Sequence, residues 1–439
     1  MKNKLWLAKN AKISKVISAK NSHIFFGFYD VCPWNKNERY LLALQTSTKL
    51  TNCIPTKKNK ATILLIDTKN ETVKKVGETE AWNWQQGCRL QWLPPIYDSH
   101  FVYNDRKGNK LVAIIKKING KKKKLPYPIY SLSPCGRHAL TFNFYRWETV
   151  RPGYGYSCSQ EFESLPKEDG IFLIDLNTHE CKLIVSLEKL YNIFHLRSME
   201  DTFHWVEQPV FNSDGSRFCF FHRWKLKDGT TYTRLYTCNL DGSDLYLLGD
   251  CGNYTHFTWK SSQELICWGC LSTKLLNIRK TKLLTGTLSK LGLKIYHRLL
   301  PNIRRKISNS GYLHFIDKSK KVTKLIEDED GHCSFSPSGR YLLADTYPDI
   351  NHYRKLVLYD LEKKKKIVIG KFYSLPSKKY LTDFYKKFGR PLSRLMDWDW
   401  TALRCDLHSR WNWRGDKICI DSVHEGVRKM YIIEICNLL

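Results

Sequence analysis

Long apolar runs are missing from this chain of 439 residues, in which nowhere do eighteen apolar residues follow one another. A membrane-spanning helix needs about 20 such residues, so the sequence predicts none. The segment MKNKLWLAKNAKISK (1–15) has lysines but no apolar stretch of signal-peptide length. We therefore expect a cytoplasmic protein.

Polar low-complexity tails are also missing. Hydrophobic residues make up 42% and aromatic residues 13% of the chain, which indicates a folded protein with a sizeable core. The glycines are too dispersed for a phosphate-binding loop, and no Ser-His-Asp arrangement is recognisable. The cysteines number fifteen, an odd count without a tight spacing framework, which is typical of reduced thiols rather than disulfides.

Acidic residues are few compared with basic ones, since 72 Lys and Arg face 42 Asp and Glu and give a net charge of +30. The electrostatic field of such a positive charge attracts nucleic acid, an anionic membrane surface or an acidic glycan. Much of the excess is lysine in turn-like runs, NGKKKK (119–124) and EKKKKI (362–367), which are typical of solvated hairpin tips. Nucleic acid is disfavoured, because no recognised nucleic-acid-binding fold accompanies the charge.

A repeated pattern runs along the chain: an aromatic or apolar residue, a short polar turn that often contains Gly, and then a strand-like segment. The seven units are CPWNKNERYLLAL from Cys32, LQWLPPIYDSHFVYN from Leu90, LSPCGRHALTFN from Leu132, FNSDGSRFCFFH from Phe211, WKSSQELICWG from Trp259, FSPSGRYLLADT from Phe335 and WNWRGDKICIDS from Trp411. Each unit is followed by a further pair of strand-like segments, so the period is a quartet of strands. This is the signature of a β-propeller.

The last quartet is incomplete, because KMYIIEI (429–435) has no partner behind it. The segment AKISKVIS (11–18) can supply the missing outer strand and so close the ring without exposed sheet edges. We predict an all-β fold, a seven-bladed β-propeller closed by its N- and C-terminal strands. Residues 1–439 form one domain in this interpretation, and we expect a monomer.

One segment breaks the repeat. Residues 271–306 contain ten Lys or Arg and no acid, with leucines at helical spacing. We interpret this basic insert as one or two amphipathic helices that would suit an anionic membrane surface, which would place the protein at the inner face of the membrane. The alternative is a solvated helical excursion that covers one face of the propeller.

Several stretches together resemble a known group of proteins: HIFFGFYDVCPW (23–34), AWNWQQGCRLQWLP (81–94), YNDR (103–106), RPGYGY (151–156), FHRW (221–224), GHCSFSPSGRYLLADTYPD (331–349) and RCDLHSRW (404–411). They resemble the seven-bladed propeller polysaccharide lyases that cleave ulvan or rhamnose-glucuronate linkages. Related α-L-rhamnosidase-type hydrolases and, more distantly, oligogalacturonate lyases share the likeness. It runs from about residue 20 to the C-terminus without the basic insert.

The resemblance implies a catalytic Tyr and Arg, which it matches to Tyr130 in PIYSLSP and Arg146 in NFYRW. A lyase of uronic-acid glycans must neutralise the sugar carboxylate, remove the proton beside it and protonate the leaving oxygen. In this interpretation Tyr130 is the base and Arg146 binds the carboxylate, brought together by one hairpin of consecutive strands. The alternative is an aromatic ring packed on a guanidinium.

The lyases also use histidines, but this chain has Gln85 and Gln86 where one is expected, and glutamine cannot take a proton at neutral pH. His204 and His222 on the next blade are the expected substitutes, with satisfied structural roles as the alternative. His23 matches the histidine of the hydrolase branch. The alternative is a structural role, in which His23 supports the first blade.

The matched stretches also supply the expected substrate-binding residues, which are Trp82, Gln86, Arg106 and Tyr154. RPGYGY is a Pro- and Gly-rich turn whose tyrosines would form a platform for sugar stacking. The alternative is a loop packed over its blade.

His332 stands before one predicted innermost strand and Asp345 at its end, while RCDLH places Cys405, Asp406 and His408 at the same relative position in the next blade. The resemblance implies a metal in this region, and N, S and O ligands suit a divalent ion. We expect His332, Asp345, Cys405 and His408 to bind zinc, calcium or manganese. The alternative is a hydrogen-bond network between blades.

Two functions follow as expectations. The first is a carbohydrate-active enzyme for uronic-acid or rhamnose-containing oligosaccharides, acting by β-elimination. The second is a glycan-binding propeller without catalysis that works beside polysaccharide biosynthesis at the inner face of the membrane. Gln85, Gln86 and the absence of a signal-peptide run favour the second; Tyr130, Arg146 and the metal-type residues favour the first.

Overall fold

The computed structural model describes residues 4–226, 229–271, 280, 309–374 and 401–435. The chain divides into two compact units. Unit 1 consists of Met1–Pro128, Glu148–Cys158 and His332–Leu439, and unit 2 of Ile129–Trp147 and Ser159–Gly331.

Unit 1 begins with two strands, β1 (Leu5–Leu7) and β2 (Lys12–Ile17), that pair with the end of the chain. Two antiparallel sheets follow. Sheet 1 consists of β3 (Ser22–Phe25), β4 (Tyr40–Ser47), β5 (Ala61–Asp67) and β6 (Thr72–Thr79), with a short 3₁₀ turn at Thr48–Leu50. Sheet 2 consists of β7 (Gln91–Trp92), β8 (His100–Lys107), β9 (Lys110–Lys117) and β10 (Lys122–Leu125).

Unit 2 contains three sheets. Sheet 3 consists of β11 (Ser131–Leu132), β12 (His138–Phe142), β13 (Gly170–Asp175) and β14 (Cys181–Ser186), with the helices α1 (Phe144–Val150) and α2 (Leu187–Asn192) and a 3₁₀ turn at Arg197–Met199. Sheet 4 consists of β15 (His204–Phe211), β16 (Arg217–Lys225), β17 (Thr231–Asn239) and β18 (Tyr246–Gly249). Sheet 5 consists of β19 (Tyr254–Trp259), β20 (Glu264–Cys270), β21 (Ser310–Ile316) and β22 (Val322–Ile326).

The last two sheets belong to unit 1. Sheet 6 consists of β23 (Cys333–Phe335), β24 (Tyr341–Asp345), β25 (Tyr353–Asp360) and β26 (Lys365–Tyr373), with β1 as a fifth strand beside β26. Sheet 7 consists of β27 (Arg410–Trp411), β28 (Lys417–Ser422) and β29 (Lys429–Glu434), with β2 as its fourth strand.

The described residues thus form seven antiparallel sheets in chain order, which confirms the prediction of an all-β, seven-bladed β-propeller. The predicted closure is also present, since β2 pairs with β29 and places Lys12 opposite Glu434. The fifth strand β1 is a feature that the repeat did not predict. The basic insert 271–306 lies outside the described residues except at Leu271 and Lys280.

The polar turn of the repeat requires glycine in four of the sheets. Gly136, Gly215, Gly339 and Gly415 have φ angles of +72°, +75°, +71° and +80°, respectively. L-residues with a side chain rarely adopt this left-handed region, whereas glycine enters it without steric cost. The recurring Gly in SPCGR, NSDGS, SPSGR and NWRGD is therefore a backbone requirement of the first hairpin in each of these sheets.

Burial separates the inner strands of a sheet from the outer ones. All five residues of β24 are buried, whereas β2 alternates between exposed and partly buried residues up to Ile17. The sequence of a strand that is covered on both faces is a continuous apolar run. In a strand with one face exposed to solvent, apolar and polar residues alternate. The apolar cores lie between neighbouring sheets inside each unit.

Sheet 7 is tied to the segment after β3 by a buried ion pair. Arg410 and Asp421 are each about 1% exposed in their side chains, and Nη2 of Arg410 lies 2.8 Å from Oδ2 of Asp421. The same nitrogen donates to the carbonyl of Gly27 at 2.7 Å, and Asp421 accepts from the amide of Phe26 at 3.3 Å. The pair therefore satisfies backbone groups that the strands of both sheets leave unpaired.

We expect Arg410→Ala to lower the free energy of unfolding by about 3–5 kcal/mol, because it leaves the buried carboxylate of Asp421 without its cation. Urea denaturation measures the loss. Arg137→Ala is the control, since Arg137 pairs with Asp175 at 3.2 Å while 64% of its side chain is exposed, and it should change stability little. Equal small effects from both variants would contradict the assignment.

Candidate metal centre and associated residues

Three buried side chains of unit 1 converge at the starts of two sheets. His332 immediately precedes β23, and Asp406 and His408 precede β27. Each offers one ligand atom, and these atoms all lie within 4.8 Å of one another. His332 is 2% exposed, and Asp406 and His408 are each 1% exposed. We call this set the metal-type cluster.

Asp345, at the end of β24, orients both histidines. Its Oδ1 accepts from Nδ1 of His332 at 2.9 Å and from the backbone amide of His332 at 2.8 Å. Its Oδ2 accepts from the backbone amide of His408 at 2.9 Å. A hydrogen on Nδ1 leaves the lone pair of His332 on Nε2, which is the arrangement that a carboxylate imposes on a metal-binding histidine.

The ring nitrogens of His408 are the best-placed ligand atoms of the cluster. Both of its ring nitrogens are buried and have no hydrogen-bond partner among the described residues. Its backbone has a φ of +44°, and its ring is held edge-on by Phe28 at 5.0 Å and by His332 at 4.3 Å between centroids. Burial lowers the pKa of His408 well below its usual value, so the imidazole is neutral and has a lone pair to offer.

Asp406 adds the negative charge. Neither of its carboxylate oxygens has a hydrogen-bond partner in the described part of the chain, although Nη1 of Arg354 forms an ion pair with Oδ1 at 2.6 Å. Burial alone raises the pKa of Asp406, but the charges of Arg354 and Arg404 outweigh it and hold this pKa well below the usual range. The carboxylate is therefore ionised.

These residues fit a divalent cation. Two neutral imidazoles and one carboxylate are a common ligand set for zinc and manganese, whereas calcium takes oxygen ligands. An unpartnered buried imidazole costs free energy that a bound cation would recover. The donor chemistry therefore favours zinc or manganese over the calcium that the sequence left open.

Asp345 and Cys405, the other two residues expected as ligands, lie beside the metal-type cluster and make other contacts. Asp345 uses its carboxylate to orient the histidines. Cys405 directs its Sγ to the carbonyl of Asp406 at 3.7 Å, and burial raises its pKa to about 12, so it remains a neutral thiol. Asp406 takes the place of both in the metal-type cluster.

We expect purified protein to bind about one equivalent of zinc or manganese and His408→Ala to abolish this binding, because it removes a ligand. Asp345→Asn should weaken binding by about 10–100-fold, as changes in orienting residues do. Calorimetric titration measures both. His100→Ala, on β8 of the same unit, is the control. A wild type that binds neither ion would leave the hydrogen-bond network as the explanation.

In unit 2, Arg146 lies on helix α1 and not on a strand, which corrects the expected hairpin with Tyr130. The reason is local: Asn143 accepts from the amides of Tyr145 and Arg146 and caps a helical turn directly after β12. Tyr130 precedes β11, is fully buried, and its ring lies 5.4 Å from that of Phe142 and 6.2 Å from that of Trp147.

The guanidinium of Arg146 is engaged inside unit 2. Its Nε donates to Oδ2 of Asp169 at 2.8 Å, Nη1 to the carbonyl of His204 at 2.8 Å and Nη2 to the carbonyl of Glu163 at 2.6 Å. The group also lies 4.5 Å from the ring centre of Phe203. A sugar carboxylate at Arg146 would therefore compete with contacts that hold the chain together.

His204 and His222 form a buried pair across β15 and β16. Nδ1 of His204 lies 3.1 Å from Nε2 of His222, and Nε2 of His204 contacts the carbonyl of Met199 at 2.9 Å. Burial lowers the pKa of His204 to about 4 and that of His222 further below its usual value. Both rings are fully buried, so they lie together as expected but away from solvent.

Unit 2 also contains a histidine–carboxylate pair that the sequence analysis missed. Nδ1 of His256 on β19 lies 2.9 Å from Oδ1 of Asp330, which also accepts from Oγ1 of Thr255 at 2.8 Å. The side chains of His256 and Asp330 are 9% and 19% exposed. The register of β19 shifts between Tyr254 and Phe257, and such bulges re-aim side chains. The contact with Asp330 holds the imidazole of His256 in one orientation.

Glu207 is a second residue that the sequence did not single out. Its buried Oε2 accepts from the indole nitrogens of Trp147 at 2.7 Å and Trp205 at 3.0 Å, and its Oε1 lies 3.2 Å from Nε of Arg223. These contacts use the carboxylate for the structure of unit 2. The sequence signal was an acid inside a strand with several apolar residues.

His23 of unit 1 lies on β3 with both ring nitrogens engaged. Nδ1 accepts from the amide of Arg428 at 3.1 Å, and Nε2 lies 2.8 Å from Oγ1 of Thr51. Burial, followed by the charge of Arg428, lowers the pKa of His23 to about 4. These are the contacts of a histidine that supports its sheet.

The four expected substrate-binding residues are mostly buried. Trp82 donates from Nε1 to the carbonyl of Asn59 at 2.9 Å, and Gln86 accepts from Arg89 at 3.1 Å. Tyr154 is 3% exposed. Arg106 alone is partly exposed, and it donates to the carbonyls of Glu80 at 3.1 Å and Ser157 at 2.7 Å. A role for them in sugar binding stays a prediction.

Among the described residues, no helix is long and apolar enough to cross a membrane.

Comparison with known proteins identifies a fold. No protein-family model and no curated protein matches the sequence. The chain is similar to the solved structure of oligogalacturonate lyase from Vibrio parahaemolyticus, with a TM-score of 0.60 and 11% identity over 98% of this chain and 96% of the other. It is also similar to the β-propeller domain of the Trilobed protease from Pyrococcus furiosus, with a TM-score of 0.49 and 9% identity over 95% and 94% of the two chains. The likeness to the lyase structure shows a shared propeller fold.

Proposed function

We propose that this protein is a lyase that depends on a divalent cation and cleaves uronic-acid or rhamnose-containing oligosaccharides by β-elimination. The metal-type cluster carries the proposal, because it brings three buried ligand atoms together and both ring nitrogens of His408 have no hydrogen-bond partner among the described residues. The fold shared with a protein named oligogalacturonate lyase supports it. The resemblance of the quoted motifs to propeller lyases supports the same substrate class.

Elimination requires that the uronate carboxylate be neutralised. His332, Asp406 and His408 would hold the cation, which supplies positive charge for that carboxylate when bound. Arg404 is the second cationic group that we assign to this task. Its Nε lies 4.0 Å from Oδ2 of Asp406, and 11% of its side chain is exposed, compared with 5% for Arg354.

Elimination also requires a base for the proton beside the carboxylate. The sequence suggested Tyr130, with His204 or His222 assisting, but all three are fully buried. The assignment of the base to Tyr130 stays a prediction.

A glycan-binding propeller without catalysis is the second candidate. The observation that favours it is the internal engagement of Arg146, together with glutamines at positions 85 and 86 where the lyases have a histidine. Such a protein would bind an acidic glycan beside polysaccharide assembly at an anionic membrane surface. Nucleic acid remains the least expected partner.

We expect the protein loaded with zinc or manganese to generate unsaturated uronate ends from a panel of galacturonate and rhamnose-glucuronate oligosaccharides. Ultraviolet absorbance of the new double bond follows the reaction. His408→Ala and chelation should each abolish the signal, whereas re-addition of metal should restore it only in the wild type. Binding of an oligosaccharide without any absorbance change in the metal-loaded protein would favour the second candidate.

A further inference from the structure

Two cysteines of unit 2 lie in direct contact, although they are nineteen positions apart in the chain. Cys251 follows β18 of sheet 4, and Cys270 is the last residue of β20 in sheet 5. Their sulfur atoms are 2.7 Å apart. This separation approaches a disulfide bond of about 2.05 Å and is shorter than contacts between packed thiols.

Close packing around Tyr254 fixes this pair. A Cβ added at Gly249 or Gly269 would meet ring atoms of Tyr254 at 2.6 and 2.4 Å, so only glycine lets this ring lie where it does. The carbonyl of Asn253 accepts from Cys251 at 3.8 Å and from Cys270 at 3.7 Å. Both sulfurs are therefore held towards the same point.

Cys251 differs in its titration from another buried cysteine of the same core. Burial raises the pKa of Cys219 well above its usual value, as expected for an inert thiol. For Cys251 burial acts in the same direction, but hydrogen bonds from Cys270, Tyr254 and the backbone lower its pKa to about 7. A fraction of Cys251 is therefore thiolate near neutral pH, and the thiolate is the nucleophile.

We propose that Cys251 and Cys270 are a site of oxidative modification, at which a small hydroperoxide converts the two thiols into an intrachain disulfide. A hydroperoxide is the oxidant class that fits, because the cysteines are only 3% and 1% exposed and a bulky disulfide reagent would not reach them. The proposal is independent of the metal-type cluster and of the proposed lyase activity.

The reaction balances in two steps. The thiolate of Cys251 attacks one oxygen of the peroxide, the O–O bond breaks, and the products are Cys251 sulfenic acid and hydroxide or alkoxide, which takes up the thiol proton. The sulfur of Cys270 then attacks the sulfenic sulfur, the S–O bond breaks, and water leaves with the proton of Cys270. Two thiols and one hydroperoxide yield one disulfide, one water and a second water or an alcohol.

The disulfide would connect sheet 4 to sheet 5 covalently. It would also anchor Cys270, which directly precedes Leu271 and the basic segment of the sequence. Oxidation would thus fix the point from which this segment leaves its sheet.

The test is peptide mapping of the full-length wild type after limited exposure to hydrogen peroxide. The sample is unfolded in an alkylating reagent and digested without reductant. We expect a cross-linked peptide that contains Cys251 and Cys270, lighter than the two reduced peptides by two hydrogens. The exposed cysteines Cys135 and Cys158 report the dose of oxidant in the same sample.

Alkylated Cys251 and Cys270 in a sample with oxidised Cys135 and Cys158 would overturn the proposal, and so would pairing with other cysteines. Cys270→Ser adds a second measurement: without its resolving thiol, Cys251 should accumulate as a sulfenic acid, which a dione reagent traps when the oxidised protein is unfolded in its presence. Cys267→Ser is the matched control on the same strand, and it should form the disulfide like the wild type. Loss of the disulfide in Cys267→Ser as well would contradict the assignment of the pair.

Discussion

One carboxylate holds the candidate site together. Asp345 accepts three hydrogen bonds, two from His332 and one from the backbone of His408, and it thereby joins the ends of sheets 6 and 7. The same bonds determine which nitrogen of His332 offers a lone pair, and they hold the left-handed backbone of His408 in place. The two carboxylate oxygens of Asp345 therefore hold the backbone at His408 and also orient the ring of His332. A substitution of Asp345 would alter both.

The position of a histidine in a sheet does not determine its role. Five first strands have a histidine at or near their beginning: His23, His204, His256, His332 and His408. At His23 the neighbouring groups occupy both ring nitrogens, so the imidazole stabilises its sheet. At His408 no described neighbour does so, and the same location becomes a place for a ligand. The surrounding donors and acceptors decide between the two outcomes.

The repeat in the sequence was sufficient for the fold, since strand quartets and glycine turns are local signals and the unpaired last strand pointed to closure by β2. The site was predicted less completely. Of the four expected ligands, His332 and His408 lie in the metal-type cluster together with Asp406, whereas Asp345 accepts hydrogen bonds from His332 and from the backbone of His408. A sequence shows which carboxylates are close but not which of their oxygens accept from backbone amides. His256 and Asp330 stand 74 positions apart, on either side of the basic insert, and only the sheet brings them together. Arg146 was expected on a strand because helix α1, which carries it, is too short to show a helical pattern in the sequence.

The N-terminal strands give this protein a particular problem during synthesis. β1 and β2 complete sheets 6 and 7, whose other strands leave the ribosome last. Throughout translation both N-terminal strands lack partners, and once β26 has emerged it too has an open edge until β1 reaches it. Lys12 and Lys15 of β2 are suited to this interval, because charged edges resist pairing with other chains. Part of the charge of this protein thus serves the nascent chain, and a ribosome that stalls before sheet 7 would release a chain with open edges at both ends.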